Sequence, residues 1–170
     1  MLTDKLGIYL NDHLMGATSG VGLVQRIADR NRRSVRGPEL RRIAEEITED
    51  REALLDLMAT LDVPVRRYKI CAGWMAERAG RLKSNGAVCR RSGLSALVEL
   101  EALRLGVEGK ALLWATLLVA VPADSRLDAS RLGELQGRAQ RQIDALETMR
   151  RSAAGSVFAG GTRRVGPDSD

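Results

Sequence analysis

The stretch Leu94-Ser-Ala-Leu-Val-Glu-Leu-Glu-Ala-Leu-Arg-Leu-Gly-Val-Glu-Gly-Lys-Ala-Leu-Leu-Trp-Ala-Thr-Leu-Leu-Val-Ala-Val121 decides the fold. Ser92 or Ser95 supplies an N-cap for it and Pro122 stops it, so it reads as one long helix. Leu100, Leu103, Val107 and Trp114 place apolar residues on almost every side. Its most apolar part, Ala111 to Val121, falls short of the roughly 20 residues that cross a bilayer. A helix of this kind implies helical neighbours, and the flanking sequence supplies them.

Downstream, Asp128 opens a further helix with Leu127 and Leu132 in the positions of a hydrophobic staple. Leu132, Leu135, Ala139, Ile143, Leu146, Met149 and Ala153 continue its apolar stripe. Upstream, a first helix runs from Thr3 or Asp4 to about Asn31 through Leu6, Leu10, His13, Ala17, Val21, Val24 and Ala28. Gly16, Gly20 and Gly22 lie inside it, and their expected use is close approach of a neighbouring helix, since each glycine costs about 1 kcal/mol against alanine. After a basic turn, Pro38 suits the first position of a second helix through Leu40, Ile43, Ala44, Ile47, Leu54, Met58 and Leu61. A third is expected from about Val65 to Asn85, with Tyr68, Cys71, Ala72, Met75, Ala79 and Leu82 on one side and Asn85-Gly86 at its end.

Composition agrees with this pattern. Hydrophobic residues make up 44% of the 170 but aromatic residues only 3%, so the core is built from Leu, Ala, Val and Ile, which suits close-packed helices better than a β-sandwich. The expectation is an all-α chain: an antiparallel four-helix bundle with a fifth, C-terminal helix that packs on it or supplies a dimer surface. One domain covers residues 1–157, followed by a disordered Gly/Arg-containing tail at 158–170.

The excess of 27 Lys and Arg over 22 Asp and Glu permits an anionic partner without requiring one. Cys71 and Cys89, eighteen apart with no C-x-x-C, read as reduced thiols. Asp4, Asn11, Asp12 and His13 interrupt any apolar signal sequence. A cytoplasmic protein with no membrane partner is expected.

His13 is the only histidine, on the apolar side of the first helix. Short antiparallel connections set it level with Leu54 and Leu55, one turn from Arg51, which shares the angle of Leu40 and Met58. Glu101 and Glu108 share a stripe with Leu94, Leu105 and Leu112, with Arg104 at its edge. A buried polar cluster of His13, Arg51 and Glu101 or Glu108 follows, with a solvent face held by Glu–Arg pairs as the competing assignment for the two glutamates. A metal site from the same groups would use His13, Glu77, Glu101 and Glu108. The acids of the second helix, Glu45, Glu46, Glu49, Asp50, Glu52 and Asp56, read mostly as a solvated face. Arg66, Arg67, Lys69, Arg78, Arg81, Lys83, Arg90 and Arg91, against the single acid Glu77, form a candidate anion-binding region for nucleic acid or an acidic protein. No phosphate loop, nucleophile elbow or zinc-finger spacing occurs.

The runs Tyr9-Leu-Asn-Asp-His-Leu-Met-Gly-Ala-Thr18, Val98-Glu-Leu-Glu-Ala102 and Gly106-Val-Glu-Gly-Lys110 resemble a group of uncharacterised bacterial helical proteins of ferritin-like, four-helix-bundle type, over roughly residues 4–150. That resemblance implies the bundle fold, and the ferritin-like family holds iron or manganese on bundle carboxylates and histidines. This chain departs from it by lacking both Glu-x-x-His pairs. The leading expectation is a non-enzymatic helical bundle, an oligomeric scaffold or interaction module without cofactor. The alternatives are a degenerate site for iron, manganese or zinc, and an anion- or nucleic-acid-binding protein working through residues 66–91.

Overall fold

A computed structural model describes residues 2–66 and 93–159. Among these residues there are four α-helices and no strand: α1 (Leu2–Arg30), α2 (Gly37–Thr60), α3 (Leu94–Ala120) and α4 (Ala129–Ala159), with a single 3-10 turn at Val121–Ala123. The chain is all-α, as its apolar periodicity implies. Of the expected third helix, Val65 and Arg66 are non-helical chain after Pro64, and the remainder lies outside the described residues.

The helix ends follow from local chemistry. Gly37 is required where α1 turns into α2, because a Cβ there would lie 2.8 Å from the carbonyl oxygens of Asn31 and Arg32, and Pro38 fills the first turn. Gly93 precedes α3 at φ +70°, a left-handed conformation that glycine adopts at little cost. Of the two serines expected to cap α3, Ser95 lies inside the helix and Ser92 is outside the described residues; Gly93 stands at the N-cap position. Asp128 does cap α4, accepting from the backbone N–H groups of Ser130 at 2.9 Å and Arg131 at 3.2 Å. Leu127 and Leu132 are both buried beside it, as a staple requires. α4 then runs to Ala159, so residues 158 and 159, assigned to the tail by sequence, are helical.

Named contacts give the directions. Gly7 lies near Val63 and Thr18 bonds Arg51, so α1 and α2 are antiparallel. Glu46 with Gln142 and Glu49 with Arg138 make α2 and α4 antiparallel. Glu101 with Arg150 and Arg104 with Glu147 do the same for α3 and α4. The order is therefore up, down, down, up. α2 ends at the end of the bundle where Asp62 meets Arg126, in the α3–α4 turn, whereas α3 begins at the opposite end, where Glu99 meets Arg30.

The core is Leu-rich and continuous across all four helices. Leu10, Ile43, Met58, Trp114, Ala139 and Leu146 are fully buried. Among the described residues the segment 128–153 is one of four helices that share the core, its stripe from Leu132 to Met149 buried against α3.

Among the described residues no helix approaches the glycines of α1 closely. A Cβ at Gly16 or Gly20 would meet nothing within 4 Å, and one at Gly22 would meet only the Arg26 side chain of the same helix. Gly16→Ala and Gly20→Ala should each stabilise the fold by about 0.4 to 1 kcal/mol, since alanine fits the helix and restricts the unfolded chain. Urea unfolding checks this, and a loss of stability would show that something covers these positions.

Candidate functional site

Three polar side chains sit where core residues belong, one on each of α2, α3 and α4. Asp50 and Gln142 are buried to 1% and 0% exposure, and the Lys110 side chain keeps only 12%. Asp50 stands in the run Ile43, Ile47, Asp50, Leu54, Met58; Lys110 in Leu103, Val107, Lys110, Trp114, Leu117; Gln142 in Leu135, Ala139, Gln142, Leu146, Met149. Each spacing of three or four turns the polar group inward with its apolar neighbours.

The three groups meet. Lys110 Nζ donates to Asp50 Oδ2 and, at 2.6 Å, to Gln142 Oε1. Gln142 Nε2 donates to Glu46 Oε2 at 2.9 Å and lies 3.4 Å from Asp50 Oδ2. On the other side of Asp50, Arg138 Nη2 forms an ion pair with Oδ1, off the line of a hydrogen bond, and Nη1 donates to Glu49 at 2.7 Å. Burial lowers the Lys110 pKa from its ordinary value, and the Asp50 carboxylate opposes that shift by favouring the charged ammonium. The cluster therefore ties three helices together through one carboxylate shared by two cations. It has the form of an interhelical register pin, in which opposite charges fit only one vertical alignment.

The groups singled out from sequence lie elsewhere. His13, on α1, is half-buried with its ring against Tyr9, the centroids 4.6 Å apart and edge to face. Arg51 donates to Thr18 Oγ1 at 3.1 Å and pairs with Glu52 at 2.6 Å. Glu101 is 3.6 Å from Arg150, and Glu108 is 3.1 Å from Arg104. Among the described residues no hydrogen bond or ion pair joins His13 or Arg51 to either glutamate. The expected His13–Arg51–Glu101–Glu108 cluster is replaced by the Asp50–Lys110–Gln142 one, because the two glutamates take the solvent-face assignment beside arginines. Glu147 completes that face, its carboxyl held down at about 2 by hydrogen bonds from Arg150 and Arg151. Glu77, Cys71, Cys89 and every basic residue of the anion-binding candidate except Arg66 lie outside the described residues.

A metal pair of the ferritin-like kind does not fit these residues. The interior carboxylate Asp50 faces an ammonium and a guanidinium, and the one histidine is on α1, outside the α2–α4 cluster. Among the described residues no grouping of three or more His, Cys, Asp or Glu suits a metal ion, and no helix is long and apolar enough to cross a membrane. A shallow groove of about 580 Å³ lies between α1 and α2, lined by Gln25, Asp29, Arg41, Glu45, Thr48 and Glu49 among others, on the outer side of Glu49. Comparison with protein-family models, with curated proteins and with solved structures returns no match.

A second polar clamp fixes the exit from α2. Asn11, 5% exposed, donates to Gly7 O at 2.8 Å and Pro64 O at 3.1 Å and accepts from the Arg66 N–H at 2.7 Å. Asn11→Ala should cost about 1 to 3 kcal/mol, because it strips partners from two backbone groups of the 64–66 chain. Chemical denaturation measures it, and a change under 0.5 kcal/mol would show that water replaces the amide.

Burial pushes the His13 pKa below its ordinary 6.5, against a smaller upward pull from Asp12. The unfolded chain therefore binds the proton at a higher pH than the folded one. The His13 contribution to stability is complete above about pH 6.5 and declines as pH falls toward the folded value. Unfolding at pH 7.5 and 5.5 should show a larger drop for the native chain than for His13→Gln, and equal drops would refute it.

Proposed function

We propose that this chain is a non-enzymatic helical bundle, ferritin-like in connectivity and oligomeric, that acts as a scaffold or interaction module. One observation carries the proposal: the interior ionisable groups Asp50, Lys110 and Arg138 are spent on each other across three helices. A group used for proton or group transfer has to meet a substrate, whereas these meet neighbouring helices. The up, down, down, up order supports the ferritin-like connectivity, since bundles of that kind contain one long crossover connection, which falls here between the parallel α2 and α3. The departure from the family is chemical: where a metal would supply positive charge among the carboxylates, this chain has its own Lys110 and Arg138.

Elemental analysis of purified protein combined with sedimentation velocity tests the proposal. A homo-oligomer without stoichiometric metal is the expected result. About one iron, manganese or zinc per chain, retained through dialysis and lost in Asp50→Ala, would overturn it.

A further inference from the structure

The hairpin where α1 turns into α2 concentrates the charge of the chain. Residues 26–42 hold seven arginines and no lysine against the two acids Asp29 and Glu39, an excess of five that equals the net charge of all 170 residues. The fold divides these arginines. Arg30 pairs with Glu99, Arg42 pairs with Glu46, and Arg36 donates to the Met149 carbonyl at 3.2 Å. Arg26, Arg32, Arg33 and Arg41 are exposed, and among the described residues no hydrogen bond or ion pair engages their guanidinium groups. Arg41 lies among acids, since Asp29 and Glu45 line the α1–α2 groove with it. Arg26, Arg32 and Arg33 form the row that is left to solvent. The turn that carries the last two is closed from within: the Ser34 N–H donates to Asn31 O at 2.8 Å and the Gly37 N–H to Ser34 O at 2.9 Å. A partner that meets these arginines therefore orders side chains and not backbone.

We propose that this hairpin binds the sugar–phosphate backbone of a nucleic-acid strand, which names the partner class of the interaction module proposed above and rests on that reading. Chemistry selects phosphate. A guanidinium fork matches phosphate oxygens two at a time, and its plane stacks on unpaired bases, which a lysine ammonium does not do. The hairpin uses arginine throughout. Shape selects a strand over a membrane. The row starts at Arg26, four residues or about 6 Å before α1 ends, and continues over the tip at Arg32 and Arg33. A strand can follow that bend, whereas a flat bilayer meets the tip alone. The one apolar side chain of the turn 31–36 is Val35, and the Trp, Phe or Leu that interfacial segments insert is missing from it. Contacts of this kind position a strand without reading its sequence.

Fluorescence anisotropy of short labelled single strands of mixed sequence, one DNA and one RNA, titrated with the full chain, tests the inference. Arg32→Gln combined with Arg33→Gln is expected to weaken binding at least tenfold at low salt. The slope of log affinity against log salt should become shallower by about 1.4, the share of two phosphate contacts on a single strand. Helix content should stay unchanged, since both side chains are exposed and unpaired. Arg131→Gln combined with Arg141→Gln removes the same charge from exposed positions of α4 and should weaken binding less than twofold. Should the hairpin variant fail to fold, Arg26→Gln alone is expected to make the slope shallower by about 0.7. Either strand responding in this way supports the inference, and the strand that responds identifies the source of the phosphate. Equal weakening by the two double variants would overturn it, because net charge alone would then hold the strand. So would binding that ignores Arg26, Arg32 and Arg33, or failure of both strands to bind, with or without binding to phosphatidylserine vesicles. Each of those failures leaves the scaffold reading standing, whereas that reading falls to stoichiometric metal, which this titration does not detect.

Discussion

Asp50→Ala is expected to destabilise the protein by about 3 to 5 kcal/mol, the usual cost of removing one partner from a buried ion pair. The structure explains the size. Asp50 is 1% exposed and is the carboxylate against which both Lys110 and Arg138 place their charge. Its loss leaves an ammonium with 12% exposure facing the amide oxygen of Gln142, the repelling charge of Arg138 and, more weakly, Glu46. Asp50→Asn should recover part of the loss, since an amide oxygen still accepts from Lys110, but without charge to hold Arg138. The joint replacement Asp50→Leu, Lys110→Met, Gln142→Leu should be close to neutral or stabilising, because apolar groups of similar volume avoid the desolvation that the ions incur. Urea unfolding of the three variants decides the matter. A single substitution no worse than the joint one would mean that water enters the cluster and that it pins nothing.

Most of the architecture is legible in the sequence because the apolar residues keep helical period over long stretches. The stripe from Leu132 to Met149 and that from Leu40 to Leu61 are buried as their spacing implies. Even the register of α1 on α2 was within reach: the Thr18–Arg51 and Gly7–Val63 contacts set His13 near Asp56, half a turn from Leu55. Helix ends were less legible, since Gly93 at positive φ stands at the N-cap of α3 and Ser95, a candidate for that place, lies inside the helix.

The buried cluster was missed for a specific reason. Asp50 lies among Glu45, Glu46, Glu49 and Glu52, and reading that run by charge made it one more acid on a solvated face. Reading it by position gives another answer, since Asp50 is three residues after Ile47 and four before Leu54. Lys110 and Gln142 have the same property within their own stripes. Three polar residues of complementary character in core positions of three helices form a signal that no single helix contains. His13 drew attention because it is unique in the chain, yet its ring rests on Tyr9 within the same helix, and uniqueness says nothing about what a side chain touches. Glu101 and Glu108 sat at the margin of an all-round apolar helix, where angle alone does not separate a core face from an outer one.

Trp114 is the largest fully buried side chain among the described residues, 0% exposed and one helical turn from Lys110. Trp114→Ala should cost about 3 to 5 kcal/mol, through lost burial and the cavity left behind. Its indole N–H has no acceptor among the described residues, and a buried donor left unpaired costs about 1 to 3 kcal/mol. Trp114→Phe is therefore expected to be much milder than its loss of volume suggests, since the substitution removes the unsatisfied donor along with the second ring. The ordering native, Phe, Ala, with Phe nearer the native protein, is checked by denaturant midpoints at constant slope. If Phe is instead as damaging as Ala, the N–H has a hydrogen-bond partner in the folded chain.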